Sequence, residues 1–249
     1  MSGHNKWAKI KHKKAGTDAA RGKVFSRIIK EITIAARNGG GDINGNPRLR
    51  LAVQNAKDAN MPADNIKRAV QRGTGELPGT VYEELTYEGY GPAGVAIMIE
   101  LVTDNKNRAV AEIRHILDRN NGKLAEAGSV AWMFQKKGSI EVSKAGISED
   151  DLLGIILEAG ADDMKTEDDY YDIVTSAESF EAVKKAIEDK GLKISNASLQ
   201  LQPQNTVRVE GKEAEQVLRL MEALEEHEDV QNVYANFDID DSVLAQLNQ

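Results

Sequence analysis

The sequence predicts an α+β protein of three domains: an N-terminal helical domain followed by two α/β domains, the last ferredoxin-like and inserted in the middle one. Three observations carry this expectation. Apolar residues recur at helical spacing up to about residue 72 and at strand-like spacing after residue 80. A stretch holding Gly75, Pro78 and Gly79 separates the two regimes and reads as a linker. A βαββαβ order fills residues 138–202, and a strand–helix–strand run follows it. The 249 residues suffice for two or three cores, and a hydrophobic share of 41% excludes wholesale disorder.

In the helical domain, residues 17–79, Thr17 or Asp18 is placed to cap a helix running to about residue 38. Phe25, Ile28, Ile29, Ile32, Ala35 and Ala36 form its apolar face, and Gly39, Gly40 and Gly41 stop it. Residues 47–60 and 62–72 read as two more helices, each with a proline in its first turn, with Leu49, Val53 and Ala56 inward. Gly73 and Gly75 close the last one. In the middle domain, residues 80–137 plus 203–241, strands are expected over 82–90, 95–102 and 130–134, with a helix over 105–120. Residues 206–209, 211–224 and 230–237 supply a strand, a helix and a strand that return to complete the same sheet. In the inserted domain, residues 138–202, strands are expected over 138–143, around Met164, and over 170–175 and 192–201. Ser148 with Asp151, and Thr175 with Glu178, offer capping boxes for the two intervening helices.

Charge points to a partner. Lys6, Lys9, Lys11, Lys13, Lys14, Arg21 and Lys23 crowd the first 23 residues against the single acid Asp18, with His4, Trp7 and His12 interleaved. Lysines neutralise phosphates and release counterions, while an indole stacks on an unpaired base. The first 75 residues hold 16 Lys and Arg against 5 Asp and Glu, a surplus of +11. The whole chain is −8, so the remainder carries −19. Such asymmetry predicts an anionic partner at one end. Lys23, Arg27, Lys30 and Arg37 fall in one stripe of the first helix and are expected to extend the tail as a phosphate-tracking surface. The candidate nucleic-acid-binding residues are therefore His4, Lys6, Trp7, Lys9, Lys11, His12, Lys13, Lys14, Arg21, Lys23, Arg27, Lys30, Arg48, Arg50, Lys67, Arg68 and Arg72.

Catalytic patterns are scarce. The chain has no cysteine, which excludes disulfides, thiol catalysis and cysteine zinc sites. Its four histidines match no zincin spacing, and His115 falls on the charged side of a helix. The triple glycine lacks a following Gly-Lys-Ser/Thr, and no GxSxG elbow presents a nucleophile. Asp162, Asp163, Glu167, Asp168 and Asp169 lack calcium-loop spacing and read as a solvent-facing hairpin. The expectation is a non-enzyme with no metal, cofactor or small-molecule substrate. No apolar run approaches the ~20 residues of a membrane span, and no signal peptide is legible. We therefore expect a cytoplasmic protein with no membrane partner.

Gly3-His4-Asn5-Lys6-Trp7, Ile10-Lys11-His12-Lys13-Lys14, Asn46-Pro47-Arg48-Leu49-Arg50 and Asn60-Met61-Pro62 closely resemble the YebC family. Tyr87-Glu88-Gly89-Tyr90-Gly91-Pro92 and Gly128-Ser129-Val130 do so as well, and the resemblance covers essentially the full length. Beginning at the motif without a presequence looks bacterial rather than mitochondrial. The resemblance implies three domains and a non-enzymatic role in gene expression. It leaves two versions open: a DNA-binding transcriptional regulator, or a translation factor like the mitochondrial translational activators and the bacterial members linked to ribosomes stalled on proline-rich sequences. A flexible basic tail with Trp7 suits irregular RNA, and no helix-turn-helix or dimer interface is legible. The expected partners are ribosomal RNA or tRNA and the ribosome, with promoter DNA as the alternative.

Overall fold

The computed structural model describes residues 18–167 and 169–240, with side chains from residue 22 onward. It divides into two compact units, residues 1–131 with 205–249, and residues 132–204.

The first unit opens with three helices, α1 (Asp18–Gly39), α2 (Pro47–Asp58) and α3 (Ala63–Thr74). Ile32, Ala35 and Ala36 of α1 meet Leu49, Ala52, Val53 and Ala56 of α2, with Met61 and Ala69 closing the core. Asn46 stitches two of these elements together. Its side-chain oxygen accepts from Leu49 N at 3.1 Å, capping α2, and its amide donates to Ala35 O at 2.8 Å and Gly40 O at 2.9 Å. A Cβ on Gly39 would lie 2.6 Å from that amide, so any larger residue there must displace the Asn46 side chain from its hydrogen bonds. Gly73 does not stop α3 as its sequence position suggests. It lies inside the helix, where a Cβ would stand 2.4 Å from Thr33 O, so it sets how closely α3 approaches α1. Gly75, at φ +82°, supplies the left-handed end.

The same unit continues with β1 (Glu83–Tyr90), β2 (Ala96–Thr103), α4 (Lys106–Arg119) and β3 (Lys123–Ala125). These form an antiparallel sheet of order β3-β1-β2-β9 with β9 (Val230–Ala235), which arrives after the inserted unit. Ile97, Ile99 and Leu101 of β2 point to the helix side and are fully buried against α4 and α7 (Gly211–Glu226). Each contributes about 1.5–3 kcal/mol by burial. Two sequence expectations change here. Residues 130–134 are no separate strand: Ala131–Met133 is a single 3₁₀ turn. Residues 206–209 do not join the main sheet either. β8 (Val207–Arg208) pairs in parallel with β10 (Phe237–Asp238) as a small second sheet.

The second unit contains β4 (Phe134–Ser143), α5 (Glu149–Glu158), β5 (Ala161–Thr166), β6 (Tyr170–Ser176), α6 (Phe180–Asp189) and β7 (Ile194–Pro203). Its antiparallel sheet has the order β5-β6-β4-β7, the ferredoxin-like arrangement, and the apolar faces of α5 and α6 cover Ile140, Val142 and Ile173. Ser148 caps α5 by accepting from Asp151 N at 3.2 Å, as the spacing predicts. The Thr175–Glu178 box does not form. Thr175 is a fully buried strand residue, and α6 begins only at Phe180 behind a Ser176–Ser179 turn with hydroxyls 2.8 Å apart.

Candidate nucleic-acid interface

The basic residues of the helical region divide into two sets. The first is engaged within the molecule. α7 ends in an acidic turn with no base of its own, and its last carbonyls and dipole call for positive charge. α1 supplies it. Arg27 donates to Glu225 O, and Lys30 donates to Glu228 O at 2.9 Å and to the Asp229 carboxylate at 2.7 Å. Asp229 is 2% exposed and also accepts from Thr103 and Arg108, each at 2.8 Å. Burial opposes its ionisation, but Lys30, Arg108 and Thr103 together outweigh that and hold its carboxyl below the usual aspartate range. Burial likewise pushes the Arg27 guanidinium down, with Glu225 opposing. Arg37 donates to Tyr82 O at 2.6 Å. Arg48 bridges Glu31 and Glu84, which raise its pKa.

Three of the four residues of the expected phosphate-tracking stripe are therefore hydrogen-bonded within the chain. Arg27, Lys30 and Arg37 dock α1 onto the α/β part of the unit, and Arg48 does the same from α2. The physical reason is local concentration. A buried aspartate and the negative end of a helix on the same chain hold Arg27 and Lys30 at hydrogen-bonding distance, the Tyr82 carbonyl holds Arg37, and Glu31 and Glu84 hold Arg48. The side chain of Lys23 is half-buried at the start of this stripe.

The second set faces outward. Lys57, Lys67, Arg68 and Arg72 are exposed and form no ion pair among the described residues. Lys67, Arg68 and Arg72 occupy the outer half of α3, away from Ile66, Ala69 and Val70. Arg50 is also exposed, but it spends its guanidinium on Ile43 O and Asn44 O at 3.2 and 2.6 Å, fastening the loop before α2. Lys57 was not among the sequence candidates, although it lies two turns from Arg50 on the same helix face. His4, Lys6, Trp7, Lys9, Lys11, His12, Lys13 and Lys14 lie outside the described residues, as does the side chain of Arg21.

Two segments of the sequence motif meet in space. Glu88, 7% exposed, accepts from the backbone N–H groups of Gly128, Val130 and Ala131 at 2.6, 2.7 and 2.9 Å. Tyr90 Oη donates to Ser129 O at 3.2 Å. The acidic side chain thus organises a loop and is not a free acid. His115 is exposed on α4. No helix among the described residues is long and apolar enough to cross a membrane.

The comparisons agree along the whole chain. Residues 5–76 match the TACO1/YebC protein N-terminal domain, and residues 82–237 match the TACO1/YebC second and third domain. A protein of Syntrophobacter fumaroxidans named "Probable transcriptional regulatory protein" is 57% identical over 99% of this chain and all of its own. One of the same name from Chloroherpeton thalassium is 55% identical over the full length of both. The crystal structure of a conserved hypothetical protein, Aq1575, from Aquifex aeolicus superposes with a TM-score of 0.84 at 44% identity, covering 92% of this chain and 95% of that one. With both family regions matched in order and relatives this similar end to end, the chain belongs to the TACO1/YebC family.

Proposed function

We propose that this protein is a non-catalytic, nucleic-acid-binding regulator of gene expression that acts in translation, on ribosomal RNA or tRNA at the ribosome, where it relieves stalling such as that on proline-rich sequences. The observation that carries the reading is the separation of the cations. Among the described residues, Lys57, Lys67, Arg68 and Arg72 stay exposed and free of carboxylates, on a domain that directly follows the basic residues 1–23. The acidic remainder of the chain repels polyanions from other orientations. In this reading the tail lysines Lys9, Lys11, Lys13 and Lys14 hold phosphates, Trp7 stacks on an unpaired base, and α3 fixes the register on the backbone. Any rate effect then comes from positioning reactants rather than from a catalytic group. The docking of α1 through Lys30 and Asp229 gives the tail a fixed base.

A second reading, a DNA-binding transcriptional regulator, is favoured by the name its relatives carry. Phosphate contacts alone do not distinguish the polymers. The test is in-cell ultraviolet crosslinking with sequencing of both the RNA and the DNA recovered. Enrichment of ribosomal RNA, lost on Trp7→Ala with Lys11→Ala, supports translation. Discrete promoter DNA without ribosomal enrichment overturns it. In vitro, Lys67→Glu with Arg68→Glu and Arg72→Glu lowers the salt dependence of RNA binding by about 2 in log–log slope, at roughly 0.7–0.9 per phosphate contact. Lys30→Gln leaves that slope unchanged.

A further inference from the structure

The longest strand edge in the second unit carries no charge. β7 ends the sheet order β5-β6-β4-β7, and its outer edge has no backbone partner among the described residues. None of its ten residues is buried. Residues 194–207 contain no charge at all, in a chain whose charged share is 29%. The other edges are protected. β5 carries Asp162, Asp163 and Lys165 and a register break between Ala161 and Asp163. β3 has three residues, the part of β1 it leaves uncovered carries Glu83 and Glu84, and four of the six residues in β9 are buried. Proteins guard open edges with charge, proline, bulges or shortness; β7 has a register break beside Ile194 and Pro203 at its end, and the uncharged residues 196–202 between them are a template for strand addition.

The side chains favour one occupant. Ala197 and Leu199 lie on the helix side, opposite Ile140 and Gly138, while Asn196, Ser198 and Gln200 lie on the other side, opposite Glu141, Ser139 and Lys137. Leu199 is 36% exposed. An antiparallel strand added here must alternate apolar and polar residues in the same phase and bring no charge to the pairing positions. β7 itself has this pattern. We propose that β7 is a self-association edge, pairing antiparallel with β7 of a second copy of this chain about a two-fold axis at Leu199. Leu199 then faces its own counterpart, Ala197 faces the partner's Leu201, and Ser198 faces the partner's Gln200. Every pair is uncharged, and apolar meets apolar. The second unit holds 8 Lys and no Arg against 15 Asp and Glu, a net of −7, and an uncharged segment is where two such units repel each other least. One strand pair buries less than the roughly 1,200 Å² of a stable complex, so the association is reversible and depends on concentration.

Sedimentation of the full chain over a range of concentrations tests this. The weight-average mass rises from one chain towards two. It rises further when salt is increased from about 0.05 to about 0.5 M, because salt screens the acidic bodies. Leu199→Lys, with its fold checked by circular dichroism, weakens the association at least about tenfold by placing like charges opposite each other. The chain has no native cysteine, so Leu199→Cys forms a disulfide-linked dimer on air oxidation, whereas Leu157→Cys, on exposed α5, does not. A mass that stays at one chain overturns the proposal. So does a dimer that survives Leu199→Lys, or one that crosslinks equally through Leu157→Cys. If the chain stays monomeric while Leu199→Lys impairs its function in cells, the edge belongs to an extended segment of another protein.

Discussion

Replacing Asp229 with asparagine tests how the helical domain is held. The substitution keeps size and one acceptor oxygen but removes a charge that is 2% exposed and accepts from Lys30, Arg108 and Thr103 at 2.7–2.8 Å. Removing one partner of a buried ion pair costs about 3–5 kcal/mol, because the other charge is left uncompensated. Two features reduce that here. Lys30 keeps its hydrogen bond to Glu228 O, and the Arg108 side chain, 38% exposed, keeps Asp104 at 3.1 Å. The expected loss is about 2–3 kcal/mol, which in a unit of this size lowers Tm by about 4–12 °C. Calorimetry of the full chain measures it, and a double-mutant cycle with Lys30→Met isolates the pair with a coupling of about 1 kcal/mol or more. The pH dependence has a fixed sign. The folded-state pKa of Asp229 is depressed, so its contribution is complete above the unfolded value near ~3.9 and is lost as pH falls through the folded value. The two proteins should therefore differ equally at pH 7 and pH 5 and converge in stronger acid. A loss under about 0.5 kcal/mol with no coupling to Lys30 would refute the docking argument.

Other substitutions probe other contacts. Gly73→Ala forces α1 and α3 apart, because the new Cβ falls 2.4 Å from Thr33 O and 2.7 Å from Ala36 Cβ. A cost of about 2–3 kcal/mol is expected in denaturant unfolding, against about 1 kcal/mol for Gly75→Ala, where only the left-handed φ is strained. Glu88→Gln weakens the three N–H contacts that order residues 128–131, costing about 1–2 kcal/mol and speeding amide exchange at Val130. Burial raises the Glu88 carboxyl pKa, but the N–H groups of Gly128, Val130, Ala131 and Ser129 lower it further, so this stabilisation too is lost only as pH falls below the ordinary glutamate value. Ser148→Ala removes the α5 cap and should lower the stability of the second unit by about 1 kcal/mol, read from its own unfolding transition.

Much of the fold was legible because it depends on local rules. Periodicity located the helix around Ile32, the continuous apolar run located the strand around Ile99, and the succession of patterns gave the βαββαβ order. The serine before α5 is a cap whose chemistry acts within four residues. Thr175 was misjudged because a capping pattern has the same letters whether the threonine is free to cap or locked in a buried strand. Gly73 was misjudged because a glycine that ends a helix and one that admits a neighbouring helix look alike until the neighbour is present.

The sequence by itself determined the charge polarity, the order of elements and the family, since composition, periodicity and motif spacing are properties of the chain alone. Only the tertiary structure decided which cations remain available to a partner. Arg27 and Arg68 are the same residue type on neighbouring helices. One lies against the carbonyl end of a helix nearly two hundred residues away, and the other faces solvent. A cation's availability depends on what the fold brings within about 3 Å of it, and no local pattern encodes that distance.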